Sequence, residues 1–336
     1  MYNSQQSSRP CRPERYLQTE AGGPVGIARP LRELLDTRVI LRHTQSIRSY
    51  GALASVCWLW GTTYLAIRMA NETLPMTLFV SARFSLSGGV LLLACLARRS
   101  SLPRGRELLD ALCSGVLILG VGNGCLILAE HYVPSGVAAL FVATTPFWMV
   151  GVEALLTPAS RIRWRTVLAL LVGFSGCALL VGPELLRNGF ASGYWKGFLA
   201  MQVGSLGWSF GSIYNRNRPR RAHPIVAGAV QQLGAGLAFA PFALLLDAGP
   251  LAWTNRALWA FLYLVLFGSI LGFSAYVYAL EHLPVSIVSL YSYFNPVVAV
   301  WLGWLFYREP FGWREAAAMI IIFLGVGLVK KHAVAA

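Results

Sequence analysis

Residues 58–64 read Trp-Leu-Trp-Gly-Thr-Thr-Tyr, and residues 208–214 repeat this pattern as Trp-Ser-Phe-Gly-Ser-Ile-Tyr. A second likeness follows each copy, because the Glu-His pair and two prolines of residues 130–146 return in residues 281–296. The chain therefore consists of two related halves, each with about five strongly apolar segments. An odd number of membrane spans in each half places the second half upside down relative to the first. This is the architecture of secondary transporters built from inverted repeats, whose site lies between the repeats.

The composition indicates a membrane protein. The chain of 36.7 kDa has a mean hydropathy of +0.57 and only 12% charged residues, whereas soluble domains carry about 25%. A net charge of +14 would suggest nucleic-acid binding in a soluble chain. Here the basic residues fall in loops on one predicted side of the membrane, so we predict no nucleic-acid partner.

Ten segments are predicted to be spanning helices, because a helix needs about 20 apolar residues to cross a bilayer. They are residues 50–69, 74–97, 109–129, 134–156, 164–182, 195–215, 224–246, 257–280, 284–306 and 313–330. The predicted repeats cover residues 49–183 and 194–331. Since lipid offers backbone groups no hydrogen bonds, we expect an all-α membrane fold. We also expect a central cavity lined by the first, second, third, fourth, sixth, eighth and ninth helices.

The positive charges predict the orientation, because Lys and Arg accumulate in cytoplasmic loops. A cytoplasmic N-terminus places most lysines and arginines inside. The loop at residues 307–314 opposes this orientation, since it contains arginines and would lie outside. We predict a multi-pass protein of the bacterial inner membrane with both termini in the cytoplasm.

Residues 1–48 are polar and basic, which predicts a mostly disordered cytoplasmic tail. No secretory signal is visible, because the first apolar run begins only near Tyr50. Residues 31–47 carry apolar side chains at helical spacing, and a helix on the membrane surface stays an open alternative.

Two polar residues interrupt apolar segments and are candidate substrate ligands. Arg83 lies roughly 13 Å into the second segment at the helical rise per residue, where a charge is costly unless a cavity or an anion compensates it. The alternative role is structural, with Arg83 capping carbonyls of a neighbouring helix. Asn123 stands between Gly122 and Gly124, where an amide beside an open backbone suits ligand binding. An ordinary hydrogen bond between helices is the alternative.

Aromatic residues supply candidate apolar walls for the same site. Trp58 and Trp208 occupy matching positions in the middle of predicted helices, whereas tryptophan usually lies at the membrane interface. Tyr291 and Asn295 precede the second repeated proline and are also predicted to bind substrate. The alternatives are lipid-facing tryptophans and an Asn that satisfies freed carbonyls.

Four residues are candidates for gating. Glu130 and Glu281 end the third and eighth segments and lie at opposite membrane faces in the inverted arrangement, which suits paired gates or proton-sensitive groups. Ordinary interfacial charge is the alternative. Pro146 and Pro296 interrupt the fourth and ninth segments, and each removes a helical hydrogen bond and favours a kink.

Residues 50–330 resemble the EamA family of the drug/metabolite transporter superfamily, and most of all its YedA-type inner-membrane transporters. The stretches that carry the likeness are residues 60–64 with Arg83, residues 121–136, residues 204–212, residues 266–270 and residues 295–300. The resemblance implies ten helices in inverted five-helix repeats and export of small metabolites, such as amino acids, or drugs. One departure is residues 157–160, where the acidic residue that the second copy carries as Glu309 is missing.

Other functions are considered beside a secondary transporter. Residues 173–176, Gly-Phe-Ser-Gly, match the motif of intramembrane serine proteases, but such a serine needs a histidine base, and the five histidines lie in the tail or at helix ends. A passive channel or membrane scaffold is the second alternative. We predict a small-molecule substrate, a lipid-bilayer environment, no catalytic residues, no cofactor and no metal. A homodimer stays an open alternative.

Overall fold

The computed structural model of the chain describes residues 28–133, 135–157, 161–188, 194–219, 221–246, 252–307 and 312–334. Within these ranges every regular element is a helix, and no strand is present. The predicted all-α fold is therefore confirmed.

The first half of the chain forms helices that end near Asn188. They are α1 (Ala28–Asn71), α2 (Met76–Ala97), α3 (Arg106–Gly115), the π-helical segment π1 (Val116–Val121), α4 (Gly122–Tyr132), α5 (Ser135–Val142), α6 (Thr145–Leu156) and α7 (Trp164–Asn188). Because each begins where the previous one ends, α3, π1 and α4 form one continuous helix.

The second half repeats this order. Its elements are α8 (Tyr194–Arg216), α9 (Pro224–Leu246), α10 (Asn255–Tyr263), the segment π2 (Leu264–Leu271), α11 (Gly272–His282), α12 (Val285–Val288), α13 (Tyr291–Tyr307) and α14 (Trp313–Val334). Each π segment ends directly before an equivalent glycine, Gly122 or Gly272, so the local irregularity is repeated with the sequence.

The chain divides into two compact units, Met1–Gln45 and Ser46–Ala336. Residues 28–48 belong to α1, although composition predicts mostly disorder there; apolar residues at helical spacing in residues 31–47 account for the difference. Residues 1–27 of the predicted tail lie outside the described residues. The candidate site lies in the second unit.

Within the described residues, five helical runs are long and apolar enough to span a membrane. They are Met76–Ala97, Arg106–Tyr132, Val137–Leu156, Pro224–Leu245 and Asn255–His282. Shorter apolar helices occur at Trp164–Leu179 and Val285–Val298. The number and the length of these runs indicate a multi-pass membrane protein.

Glycines allow close contact between helices that occupy equivalent places in the two halves. A Cβ atom on Gly88 of α2 would lie 2.6 Å from the backbone nitrogen of Leu233 in α9, and one on Gly236 would lie 2.5 Å from the backbone nitrogen of Ser85. Likewise, a Cβ atom on Gly325 of α14 would lie 2.4 Å from the nitrogen of Gly173 in α7. Small residues bring helices together in this way in membranes.

The helices near the repeated prolines are interrupted at different places. The chain leaves helical geometry between α5 and α6, and Pro146 follows in the first turn of α6, where its missing N–H is no loss. In the second half the interruption lies between α12 and α13, and Pro296 lies inside α13. Only Pro146 therefore adjoins a break.

Candidate functional site

A cavity lies between the two halves of the second unit. Its walls come from α1, α2, π1, α4, α5, α6, α8, π2, α11 and α13, and it encloses about 670 Å³ of empty space including its mouth. These elements lie in the seven segments that the sequence predicts as lining.

Arg83 presents an incompletely paired cation to this cavity. The residue is 4% exposed, its Nε donates to Oγ of Ser269 at 2.9 Å, and its guanidinium lies 5.0 Å from the centre of the Phe84 ring. The Nη1 atom is buried and finds no hydrogen-bond partner in the part of the chain that the structure describes. Leaving a buried donor without an acceptor costs free energy, so a ligand that supplies an acceptor is favoured. A negatively charged acceptor forms the strongest hydrogen bond with a guanidinium group.

Asn295 presents an acceptor to the same cavity. Its Nδ2 donates to the hydroxyl oxygen of Tyr64 at 3.1 Å, while its buried Oδ1 receives no hydrogen bond from any described residue. Tyr64 lines the cavity as well. The cavity thus contains a free cationic donor and a free neutral acceptor.

Asn123 is half-buried and also lines the cavity, as do Gly122 and Leu126 on α4. The flanking Gly122 allows α4 to approach Trp208 of α8, because a Cβ atom there would lie 2.9 Å from the indole ring. The glycines beside Asn123 therefore permit close helix contact that holds the amide at the cavity wall.

Three aromatic rings form one wall of the cavity. The Trp60 ring centre lies 5.2 Å from that of Trp208 and 4.9 Å from that of Tyr291. Trp60 Nε1 donates to the carbonyl of Gly268 at 3.0 Å, and Trp208 Nε1 donates to the hydroxyl of Tyr276 at 2.9 Å. Because their polar atoms are engaged, these side chains offer mainly apolar surface to a ligand.

Trp58, in contrast, is not brought to the cavity. Its side chain is 50% exposed and lies against Trp301, with ring centres 5.5 Å apart. It stands two residues before Trp60, which corresponds to about 200° around the helix and therefore to the opposite face. The position of Trp60 at helical spacing from Tyr64 and Ile67 is the signal that identifies the cavity-facing tryptophan.

The predicted gating residues lie around the cavity and are not among its lining residues. Glu130 has both carboxylate oxygens buried, whereas Glu281 is partly exposed and takes part in an interaction. Pro146 follows Thr145, whose Oγ1 shares a hydrogen bond with Oγ of Ser205 at 3.0 Å. Pro296 follows the cavity residue Asn295.

Ser269, Tyr64, Thr145 and Ser205 line the cavity although sequence reasoning did not select them. Tyr64, Ser205 and Ser269 belong to stretches that carry the family resemblance, so a signal for them was present. The signal for Thr145 is its place directly before the repeated Pro146.

The serine of the protease-like motif has a structural role here. Ser175 Oγ donates to the carbonyl of Val172 in its own helix at 2.8 Å. A Cβ atom on Gly173 would lie 2.5 Å from the Tyr293 ring, and one on Gly176 would lie 2.8 Å from Ile322. The motif therefore supplies small residues for helix contact, which favours packing over a nucleophile.

Comparisons with known proteins give matches over most of the chain. The EamA-like transporter family matches residues 48–182 and 195–330. The uncharacterized inner membrane transporter YedA of Escherichia coli (strain K12) is 36% identical over 295 residues, covering 86% of this chain and 92% of YedA. Protein PecM of Dickeya dadantii (strain 3937) is 25% identical over 275 residues, covering 81% of this chain and 88% of PecM.

The fold also has a counterpart among solved structures. One crystal structure superposes with a TM-score of 0.71 at 24% sequence identity, covering 87% of this chain and 98% of the other. At this identity the likeness concerns the fold alone.

Proposed function

Because the chain belongs to the EamA-like transporter family, we propose that it exports small zwitterionic metabolites such as amino acids by alternating access. The family identifies the chain as a multi-pass inner-membrane transporter of the drug/metabolite type.

The pairing of Arg83 and Asn295 carries the proposal. Arg83 Nη1 and Asn295 Oδ1 are both buried and unsatisfied by the described residues, and both residues line one cavity. A carboxylate satisfies the guanidinium, and an ammonium group satisfies the amide oxygen. An amino acid carries both groups, and its side chain has the wall of Trp60, Trp208 and Tyr291 to lie against.

Helix contacts support ten spans in inverted repeats. The second helix of each half packs on its equivalent, α2 on α9, and so does the last, α7 on α14. Gly122 of the first half lies against Trp208, while Gly272 of the second half lies against Trp60. Reciprocal contacts of this kind are typical of two repeats related by a pseudo-two-fold axis.

The ion pairs connect helix ends that the proposed orientation, with both termini in the cytoplasm, places on the same membrane face. Arg216 lies 3.7 Å from Glu153, and Arg218 lies 3.8 Å from Asp110, all at helix ends assigned to the cytoplasmic face. Arg256 lies 3.7 Å from Glu72, at ends assigned to the outer face. A reporter fluorescent only in the cytoplasm should therefore be bright at either terminus, and a dark terminus contradicts the orientation.

Alternating access needs gates on both sides of the cavity. We assign Glu130 to the outer gate and Glu281 to the inner one, because they end equivalent helices at opposite faces. Pro146 and Pro296 lie beside the cavity residues Thr145 and Asn295, so bending at these prolines changes the cavity wall directly.

Counterflow in proteoliposomes tests the proposal. Liposomes loaded with unlabelled L-phenylalanine, L-leucine or L-threonine should take up the labelled form transiently above its external concentration, and uptake should saturate. Two cationic drugs complete the panel. A passive channel shows neither behaviour, and a scaffold shows no uptake at all.

A further inference from the structure

Glu130, in the last turn of α4, has a carboxyl group that is not among the residues lining the cavity. Both of its carboxylate oxygens are buried, and neither has a hydrogen-bond partner among the residues that the structure describes. An ionised carboxylate without water or donors is strongly disfavoured. The protonated form of this group is therefore the one that suits its surroundings.

The position of Glu130 connects it to the cavity. Asn123 and Leu126 of α4 line the cavity, and Glu130 follows Leu126 by one helical turn on the same face. Tyr64 of α1 lines the cavity too and interacts electrostatically with Glu130. The hydroxyl of Tyr64 also accepts the hydrogen bond from Asn295 Nδ2, so Tyr64 interacts with both residues.

The charges around Glu130 are few. Arg68, in the last turn of α1, attracts it electrostatically without a hydrogen bond. The ionisable residues beside it in α4 and on the described α2 and α8, which pack against α4, are Cys125, His131, Tyr132, Arg83, Cys95, Tyr194, Lys196, Tyr214 and Arg216. α5 carries none in its sequence. None of these described side chains gives the Glu130 carboxylate a hydrogen bond.

The other glutamates whose side chains the structure describes have partners. Glu153 pairs with Arg216 and Glu72 with Arg256. Glu107 accepts from the backbone nitrogen of Ala222, Glu315 accepts from the backbone nitrogen of Gly312, and Glu281, the repeat equivalent of Glu130, takes part in an interaction. Among these described side chains, Glu130 differs in having two buried carboxylate oxygens without a hydrogen bond.

We propose that Glu130 is the proton-binding site through which export is coupled to a proton gradient. The inference rests on the proposed transport function. When the outer end of the cavity opens, the carboxylate takes up a proton from outside and becomes a neutral carboxyl group. After closure it releases that proton toward the cavity past Tyr64, and one substrate molecule leaves for each proton that enters.

The first test needs no substrate. Dicyclohexylcarbodiimide is apolar and adds to protonated carboxyl groups, so it should modify Glu130 in the purified protein increasingly as the pH falls. Peptide mass spectrometry locates the adduct. Absence of modification at Glu130, or modification that does not change with pH, overturns the proposal.

The second test separates coupling from transport. With the membrane potential clamped, a gradient of one pH unit should sustain up to about tenfold accumulation of labelled L-phenylalanine against the proton flow, as expected for one-for-one exchange. Glu130→Gln should lose this accumulation, because glutamine resembles the neutral acid but binds no proton. Glu72→Gln, which removes an exposed carboxylate at the same membrane face, should keep it.

The outcomes are distinguishable. If the wild type shows counterflow but no response to the pH gradient, the proposal that Glu130 couples export to protons is wrong. The proposed function as a carrier is not affected by that result. Accumulation by Glu130→Gln equal to that of the wild type overturns the coupling proposal as well. Absence of counterflow for the entire panel contradicts the proposed function, while the carbodiimide result still decides whether Glu130 binds a proton.

Discussion

Arg83 Nε donates a hydrogen bond to Ser269 Oγ at 2.9 Å across a sequence separation of 186 residues. This bond joins α2 of the first half to π2 of the second, and it fixes the guanidinium so that Nη1 is left for a ligand. The repeat interface therefore orients the cation on which the proposed substrate binding depends.

Ser269→Ala should weaken binding without abolishing it. The substitution removes the bond that orients Arg83 and keeps the charge, so the half-saturation concentration should rise about threefold to tenfold, in line with the net contribution of one ordinary hydrogen bond. The maximal rate should change little. Kinetics of counterflow measure both quantities, and an unchanged half-saturation concentration contradicts the role of Ser269.

Asn295→Ala should change which ligands compete. Its Oδ1 is the proposed acceptor for an ammonium group, so affinity for an amino acid should fall about tenfold. Inhibition by the matching carboxylic acid without the amine, such as 3-phenylpropionate against L-phenylalanine, should stay the same. Equal losses for both compounds indicate a structural role for Asn295.

Trp60→Phe and Trp58→Phe form a matched pair on one helix. Trp60→Phe removes the hydrogen bond to Gly268 and part of the aromatic wall, so affinity should fall about fivefold. Trp58→Phe changes a half-exposed ring beside Trp301 and should leave affinity within about twofold of the wild type. A larger loss of affinity in Trp58→Phe than in Trp60→Phe would contradict this assignment and indicate that Trp58 binds the substrate.

Gly88→Ala should destabilise the protein, whereas Gly89→Ala should not. The added methyl at Gly88 meets the backbone of α9 at 2.6 Å, while one at Gly89 meets no described atom within 4 Å. Overpacking of this kind costs about 1–3 kcal/mol. Thermal unfolding in detergent, followed by tryptophan fluorescence, compares the two; equal midpoints contradict the tight α2–α9 contact.

The sequence predicts the helices and most of the candidate site because membrane burial leaves clear signals. A lone Arg83 in an apolar segment, or Asn123 between glycines, is conspicuous in a chain with so few polar residues. Five of the six predicted substrate ligands line one cavity: Arg83, Asn123, Trp208, Tyr291 and Asn295.

The remaining features depend on tertiary contacts. The repeated motif makes Trp58 the counterpart of Trp208. Trp208 lines the cavity, but on α1 the tryptophan that lines it is Trp60, two residues after Trp58. The partnership of Arg83 with Ser269 and the isolation of Glu130 depend on how the two halves meet. Neither spacing nor composition contains that information.

The measurement that tests the central claim most directly is counterflow by Arg83→Ala beside the wild type. The account predicts saturable exchange of an amino acid by the wild type and its loss in Arg83→Ala. Equal membrane insertion and an unchanged gel-filtration profile show that the variant is folded. Exchange by Arg83→Ala at the wild-type rate and affinity would contradict the account, because it would remove Arg83 from the substrate site.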